Sequence, residues 1–135
     1  MPFLDSPELS IDSLSDASGK LIVNIPRTKD ASRLTSFSNR FPQGNEIVEK
    51  IVELYGLKFL SNTQLRWWDN ELVILETNTR ASGGLYASSV TGINMMWLAI
   101  KVLLEEDFAQ PVPILEKRYT SVSNFVEIKD NILSS

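Results

Sequence analysis

The chain has 135 residues, 43% of them hydrophobic, a net charge of -4, and neither cysteine nor histidine. That length suits a single domain, residues 1–135, with one real core. The composition excludes a disulfide scaffold, a zinc finger and any catalysis that needs a thiol or an imidazole, and its scattered Lys and Arg give no field that would gather nucleic acid. Whatever chemistry the chain carries must use carboxylates, amides, hydroxyls, Lys and Arg. The most apolar run, Gly92 to Leu104, is too short to cross a bilayer and holds Lys101. The first residues lack the basic start and apolar stretch of an export signal, so the expectation is a cytoplasmic protein with no membrane partner.

In chain order, alternation comes first: Leu9 and Ile11 face one way, while Ser10, Asp12 and Leu14 face the other. Asp16 to Gly19 is turn chemistry, and Lys20 to Ile25 reads as the returning strand of a hairpin, ended by Pro26. Arg27 to Gly44 is polar and reads as a long surface loop. Apolar residues at helical spacing (Ile47, Val48, Ile51, Val52, Leu54, Tyr55) predict a helix from Asn45 to Tyr55, stopped by a left-handed Gly56. Two strands follow, Phe59 to Trp67 and Leu72 to Asn78, joined around Asp69-Asn70. After a turn at Ser82 to Gly84 come a short helical piece and a helix from Asn94 to Glu106, capped by Asn94 and buried along Leu98, Ala99, Val102 and Leu103. Pro111 and Pro113 end it, and Leu115 to Thr120 and Phe125 to Ile128 are short strand candidates. The order predicts an α+β fold, an antiparallel sheet with helices packed on one face. Trp67, Trp68, Met95, Met96 and Trp97 read as core, or as a surface that another lobe would cover.

The informative segment is Glu71 to Gly84, ELVILETNTRASGG. On a regular strand Glu76, Asn78 and Arg80 project together, with Leu72 and Ile74 on the same face and Val73 and Leu75 on the other. An apolar strand thus ends abruptly in an acid, an amide and a cation. Oxygen donors two residues apart suit a hard divalent ion that keeps phosphate oxygens among its ligands, and an arginine just beyond suits phosphate itself. The glycines after Ser82 let backbone approach a ligand closely. A surface ion pair between Glu76 and Arg80 beside an ordinary loop is the plain alternative.

The segment Gln64 to Gly84, QLRWWDNELVILETNTRASGG, resembles the C-terminal lobe of the ATP-grasp superfamily, whose hairpin ends in a metal-binding E-x-N-x-R. A glutamine twelve residues before the glutamate is similar to carbamoyl-phosphate synthase large subunits and related carboxylate–amine ligases. The stretches Leu4 to Lys29, Asn45 to Gln64 and Gly83 to Glu106 resemble the family's hinge and first hairpin, its next helix and strand, and its following helices, so the likeness spans Phe3 to Phe108. The resemblance implies ATP and Mg²⁺ (or Mn²⁺) as ligands. Gln64, Glu76 and Asn78 would hold the metal, and Arg80 would contact a phosphate or an acyl-phosphate intermediate. Glu8 would bond the ribose hydroxyls, Arg27 and Lys29 would approach the phosphates, and Ser82 and Gly83 would line the acceptor side.

The family's second lobe and its glycine-rich loop have no counterpart here, and no G-x-x-x-x-G-K occurs in the sequence. The resemblance therefore implies a lobe that does little alone and acts on a carboxylate substrate once completed by another lobe or a partner chain. The alternative is a non-catalytic assembly module that keeps the lobe, possibly as a homodimer. The metal reading carries a geometric demand. With a two-residue loop and a regular ladder, Gln64 falls opposite Leu75, on the face away from Glu76; an odd-length loop or a bulge is needed to bring them together.

Overall fold

In the computed structural model, residues 5–29 and 34–120 are described. The chain runs β1 (Asp5–Ser15), β2 (Leu21–Lys29), β3 (Leu34–Phe37), α1 (Pro42–Tyr55), β4 (Phe59–Trp68), β5 (Glu71–Asn78), a 3-10 helix (Leu85–Thr91), α2 (Met95–Leu103) and β6 (Lys117–Thr120). The strands form one six-stranded sheet in the order β5-β4-β1-β2-β3-β6, with every neighbouring pair antiparallel. The strand candidate Phe125 to Ile128 lies outside the described residues.

The antiparallel α+β expectation holds, but the helices divide between the two faces. Leu9 and Ile11 of β1 and Leu65 of β4 pack under Val48 and Val52 of α1. Three residues on from Ile11, Leu14 points the other way and joins Val23, Ile25 and Phe37 beneath Leu85, Met95, Leu98 and Val102 of the 3-10 helix and α2. Each face of the central strands is thus roofed by a different helical piece. The second roof covers only part of its face, and beyond it the sheet becomes polar.

Local chemistry explains the element ends. Gly56 caps α1 in the left-handed region (φ 56°, ψ 42°), and the Leu57 N–H donates to the Val52 carbonyl. Asn94 caps α2 by accepting from the Trp97 N–H. Pro26 does not end its strand, because β2 has no second neighbour before Arg27 pairs with Phe37 and no ladder bond is lost on that side. The expected long loop from Arg27 to Gly44 is therefore shorter, holding the end of β2, all of β3 and the first turn of α1. Leu54, Tyr55 and Leu103, assigned to buried stripes by spacing, are exposed. Of the five Trp and Met residues read as core, only Met95 is buried; Trp67 is half-buried edge-on to Phe41, and Trp68, Met96 and Trp97 face outward.

The β1–β2 turn is organised by Asp16, whose Oδ1 accepts from the Ser18 N–H, the Ser18 hydroxyl and the Lys20 N–H. The Ser18 hydroxyl first, and then the Lys20 N–H, hold this carboxyl below its ordinary value. A depressed carboxylate adds stability that is present above its unfolded pKa and lost as pH falls through the folded one. Asp16→Ala should therefore lower the melting temperature at neutral pH. In thermal unfolding followed across pH, the gap to the wild type should close as pH drops below the ordinary carboxylate range.

Candidate functional site

The polar half of the sheet is built by one turn and one irregularity. Asp69 and Asn70 both take positive φ (49° and 63°), making the two-residue turn whose twist suits a hairpin. Asp and Asn tolerate this backbone better than other non-glycine residues. The turn sets Trp68 opposite Glu71 and Leu65 opposite Ile74; the register then shifts, and Gln64 pairs with Glu76. Leu75 is the extra residue, a β-bulge. A two-residue loop combined with a bulge thus brings Gln64 and Glu76 face to face.

The bulge also corrects the reading of the strand's faces. Leu72 packs into the α1 cluster, and Ile74 and Thr77 line a groove with Ile51, Tyr55 and Leu57 of the α1 side. Leu72 and Ile74 therefore lie on the face opposite Glu76, because the extra residue resets the alternation. Burying Leu65 against α1 while keeping Gln64 across from Glu76 requires that reset.

Cross-strand pairing lays the polar residues out as a lattice. One row runs Glu76, Gln64, Ser10, Arg27 across β5, β4, β1 and β2; the next runs Asn78, Asn62, Asp12. Directly paired side chains have Cβ atoms about 4.5–5.5 Å apart. The Asn78 amide donates to Glu76 Oε1 at 2.8 Å, so these two form one unit. Gln64 is half-buried beside them, and Glu76 is exposed.

Asp12 is 1% exposed, and its partners are correspondingly close. Arg27 Nε donates to Asp12 Oδ2 at 2.9 Å, and Asn62 Nδ2 donates to Asp12 Oδ1 at 2.8 Å and to Ser10 Oγ at 2.9 Å. The Arg27 guanidinium reaches on to the Ser82 hydroxyl at 2.9 Å. It also lies against Gly84, where an added Cβ would come within 2.6 Å of it. Arg27 is therefore a strand residue bound on two sides, not part of a loop. In the row beyond, Arg66 donates twice to Glu8 Oε2, at 3.2 and 3.0 Å, with both groups about one-third exposed.

Arg80 follows the end of β5 and is exposed; its guanidinium donates to the Ala81 carbonyl, and among the described residues no carboxylate pairs with it. Gly83 is open, with nothing near the position of a Cβ. Lys29 closes β2 opposite Glu8, and its side chain lies outside the described residues. The structure thus gathers Gln64, Glu76 and Asn78 on one face, with Arg27 further along the same row and Glu8 one row away. Ser10, Asp12, Asn62 and Arg66 join them without standing out by spacing within their own segments. The signal was present as two period-2 polar runs, Glu8-x-Ser10-x-Asp12 and Asn62-x-Gln64-x-Arg66, on strands otherwise rich in apolar residues.

A family model described as an ATP-grasp in the biosynthetic pathway with Ter operon matches residues 1–125. The chain belongs to the ATP-grasp family. It is 28% identical over 115 residues to the carbamoyl phosphate synthase large chain of Clostridium beijerinckii, an alignment that takes in 76% of this chain and 11% of that one. Its fold matches the crystal structure of a Campylobacter jejuni biotin carboxylase–β,γ-ATP complex with a TM-score of 0.63, at 18% identity, over 84% of this chain and 28% of that one. This ATP-grasp chain therefore spans about a tenth of the first relative and under a third of the second.

The buried ion pair in this ATP-grasp sheet gives a direct stability test. Removing one partner of such a pair leaves an uncompensated charge and costs about 3–5 kcal/mol. Arg27→Ala should lose stability on that scale in urea unfolding, whereas Asp12→Asn combined with Arg27→Gln should lose markedly less, because no charge is left buried.

Proposed function

We propose that this chain supplies the metal- and phosphate-binding half of an ATP-grasp active site, in a carbamoyl-phosphate-synthase-like carboxylate–amine ligase, and turns over little on its own. The observation that carries this reading is the row in which the Leu75 bulge pairs Gln64 with Glu76, with Asn78 bonded to Glu76. The donor set fits Mg²⁺, and equally Mn²⁺. It offers one carboxylate and two amide oxygens, and Mg²⁺ characteristically takes one or two carboxylates and fills its octahedron with phosphate oxygens and water. Bound there, the ion would neutralise phosphate charge during transfer.

This chain's own residues then divide the work. Glu76 anchors the ion by charge, Asn78 holds the Glu76 carboxylate in place, and Gln64 adds an oxygen from across the rung. Arg80, free of any carboxylate among the described residues, offers its planar fork to a phosphate or an acyl phosphate. Glu8, oriented by Arg66, is placed to accept from ribose hydroxyls through its second oxygen. Lys29, at the end of β2, is the further candidate for a phosphate contact, and Ser82 and Gly83 would line the acceptor end. The substrate class is a carboxylate activated by ATP and then attacked by an amine. A cytoplasmic setting goes with this reading.

With a single carboxylate the ion should bind appreciably only together with nucleotide. Calorimetry is expected to show Mg²⁺-dependent ATP binding that Glu76→Ala weakens by about 10- to 100-fold, the scale of about 1.5–3 kcal/mol for a charge-assisted contact. In NMR, Mn²⁺–ATP should broaden Gln64, Glu76 and Asn78 first. ATP binding that ignores both the metal and Glu76 would overturn this assignment.

One observation favours a second reading, that of an assembly module. The outer side of α2 is apolar and open, with Trp97, Leu103 and Leu104 each more than half exposed alongside Met96 and Ile100. A second copy or a partner chain covering this face would bury it. Light scattering of the wild type should then show a dimer at low micromolar concentration that Trp97→Glu converts to monomer. A monomeric wild type would remove the homodimer from consideration.

A further inference from the structure

The Arg27 side chain raises a question that the metal site does not answer. Its row holds Glu76 and Gln64, yet three strand spacings, about 14 Å, separate it from Glu76 across the sheet. Two of its nitrogens already have partners: Nε on Asp12, and one terminal nitrogen on Ser82. The Asp12 acceptor is buried and is itself held by Asn62, so the guanidinium cannot swing away without stranding a buried carboxylate. Its far end meets the backbone of Gly84, where there is no room for a side chain. A cation anchored from below by a buried acid, and gripping a loop from beneath, is built to hold that loop.

We propose that Arg27 is a positioning residue: anchored by Asp12, it latches the Ser82–Gly84 loop to the sheet and so sets where Arg80 and the Ser82–Gly83 backbone meet the ligand. The inference rests on the ATP-grasp reading above for the identity of that ligand, but the latch itself is a property of the chain alone. The loop leaves β5 just after Asn78 and comes to lie on Arg27, on the far side of β1 from its starting strand. Backbone bonds then tie its end into the 3-10 helix: the Leu85 N–H to the Ser82 carbonyl and the Ala87 N–H to the Gly84 carbonyl. Between Asn78 and those bonds, Ala81 packs against the core cluster, and the Arg27–Ser82 contact is the side-chain hydrogen bond to the sheet found among the described residues. This departs from the expectation that Arg27 touches phosphate, because its charge is answered by Asp12.

The test uses variants that leave Asp12 partnered. Ser82→Ala deletes the latch's acceptor, and Ser82→Thr keeps it. Gly84→Ala is compatible with its backbone (φ -99°, ψ 3°), so its effect is to displace the terminal nitrogens from Ser82 while Nε stays on Asp12. Arg27→Lys keeps the charge beside Asp12 but loses the fork that spans to Ser82. Amide exchange at Leu85 and Ala87 should be about tenfold faster in Ser82→Ala, Gly84→Ala and Arg27→Lys, and close to wild type in Ser82→Thr. Mg²⁺–ATP affinity should fall several-fold in the same three variants, be rescued by Ser82→Thr, and keep the wild-type salt dependence.

Unchanged exchange in Ser82→Ala and Gly84→Ala would overturn the latch. So would a large affinity loss confined to Arg27→Lys with a shallower salt dependence, which would make Arg27 a direct phosphate contact. If the wild type binds no Mg²⁺–ATP, the nucleotide reading fails, and the exchange rates still decide the latch.

Discussion

A carboxylate buried in the middle of a sheet must be answered by donors, and much of this molecule can be traced to how Asp12 is answered. Removed from water, an isolated carboxylate would be prohibitively unfavourable. Arg27 from one neighbouring strand and Asn62 from the other take its two oxygens, so the same acid staples β2 and β4 to β1. The alternation that turns Asp12 upward turns Ile11 downward into the α1 cluster. A shift of one residue in any of the three strands would bury a charge under α1 and expose a core side chain. Register, polar face and hydrophobic face are therefore one decision.

The second constraint is the hairpin that carries Glu76. Its turn and its buried Leu65 impose pairings that, continued regularly, would carry Glu76 to the wrong face. The extra Leu75 absorbs the conflict at the cost of one interrupted ladder position. Bulges of this kind re-aim side chains next to functional positions. This one lies one residue before the acid that the metal reading needs, on an edge strand where a break in the ladder disturbs a single neighbour.

Local chemistry was legible in the sequence; agreement between distant strands was not. Gly56, Asn94 and the Asp16–Gly19 turn could be read because each acts within a few residues of itself. The family resemblance brought out Gln64, Glu76 and Asn78 and, with them, the need for a bulge or an odd loop. It gave no hint of Asp12 or Asn62, whose importance appears only when β1 and β4 are side by side. Arg27 looked like part of a polar loop because Pro26 precedes it, and a proline is tolerated wherever a strand lacks a neighbour on that side. The helical stripes misled for a related reason. Leu54, Tyr55 and Leu103 have the right spacing, but the roofs over each face are narrower than the stripes.

The strand order carries a consequence for how the chain comes to be folded. β1 and β2 can meet early through a short turn, but β1 gains its other neighbour only by closing about fifty residues to reach β4. Contacts so far apart in sequence form late and slowly compared with a local hairpin or a helical turn. Until that closure, Asp12 lacks Asn62 and Leu9 lacks Leu65, so neither face of the central strand is complete. During synthesis the β1–β2 hairpin emerges before β4, and its partners on both faces arrive only with the residues around Gln64. The strand that completes the core also delivers Gln64 to the polar face, so core and polar face mature together.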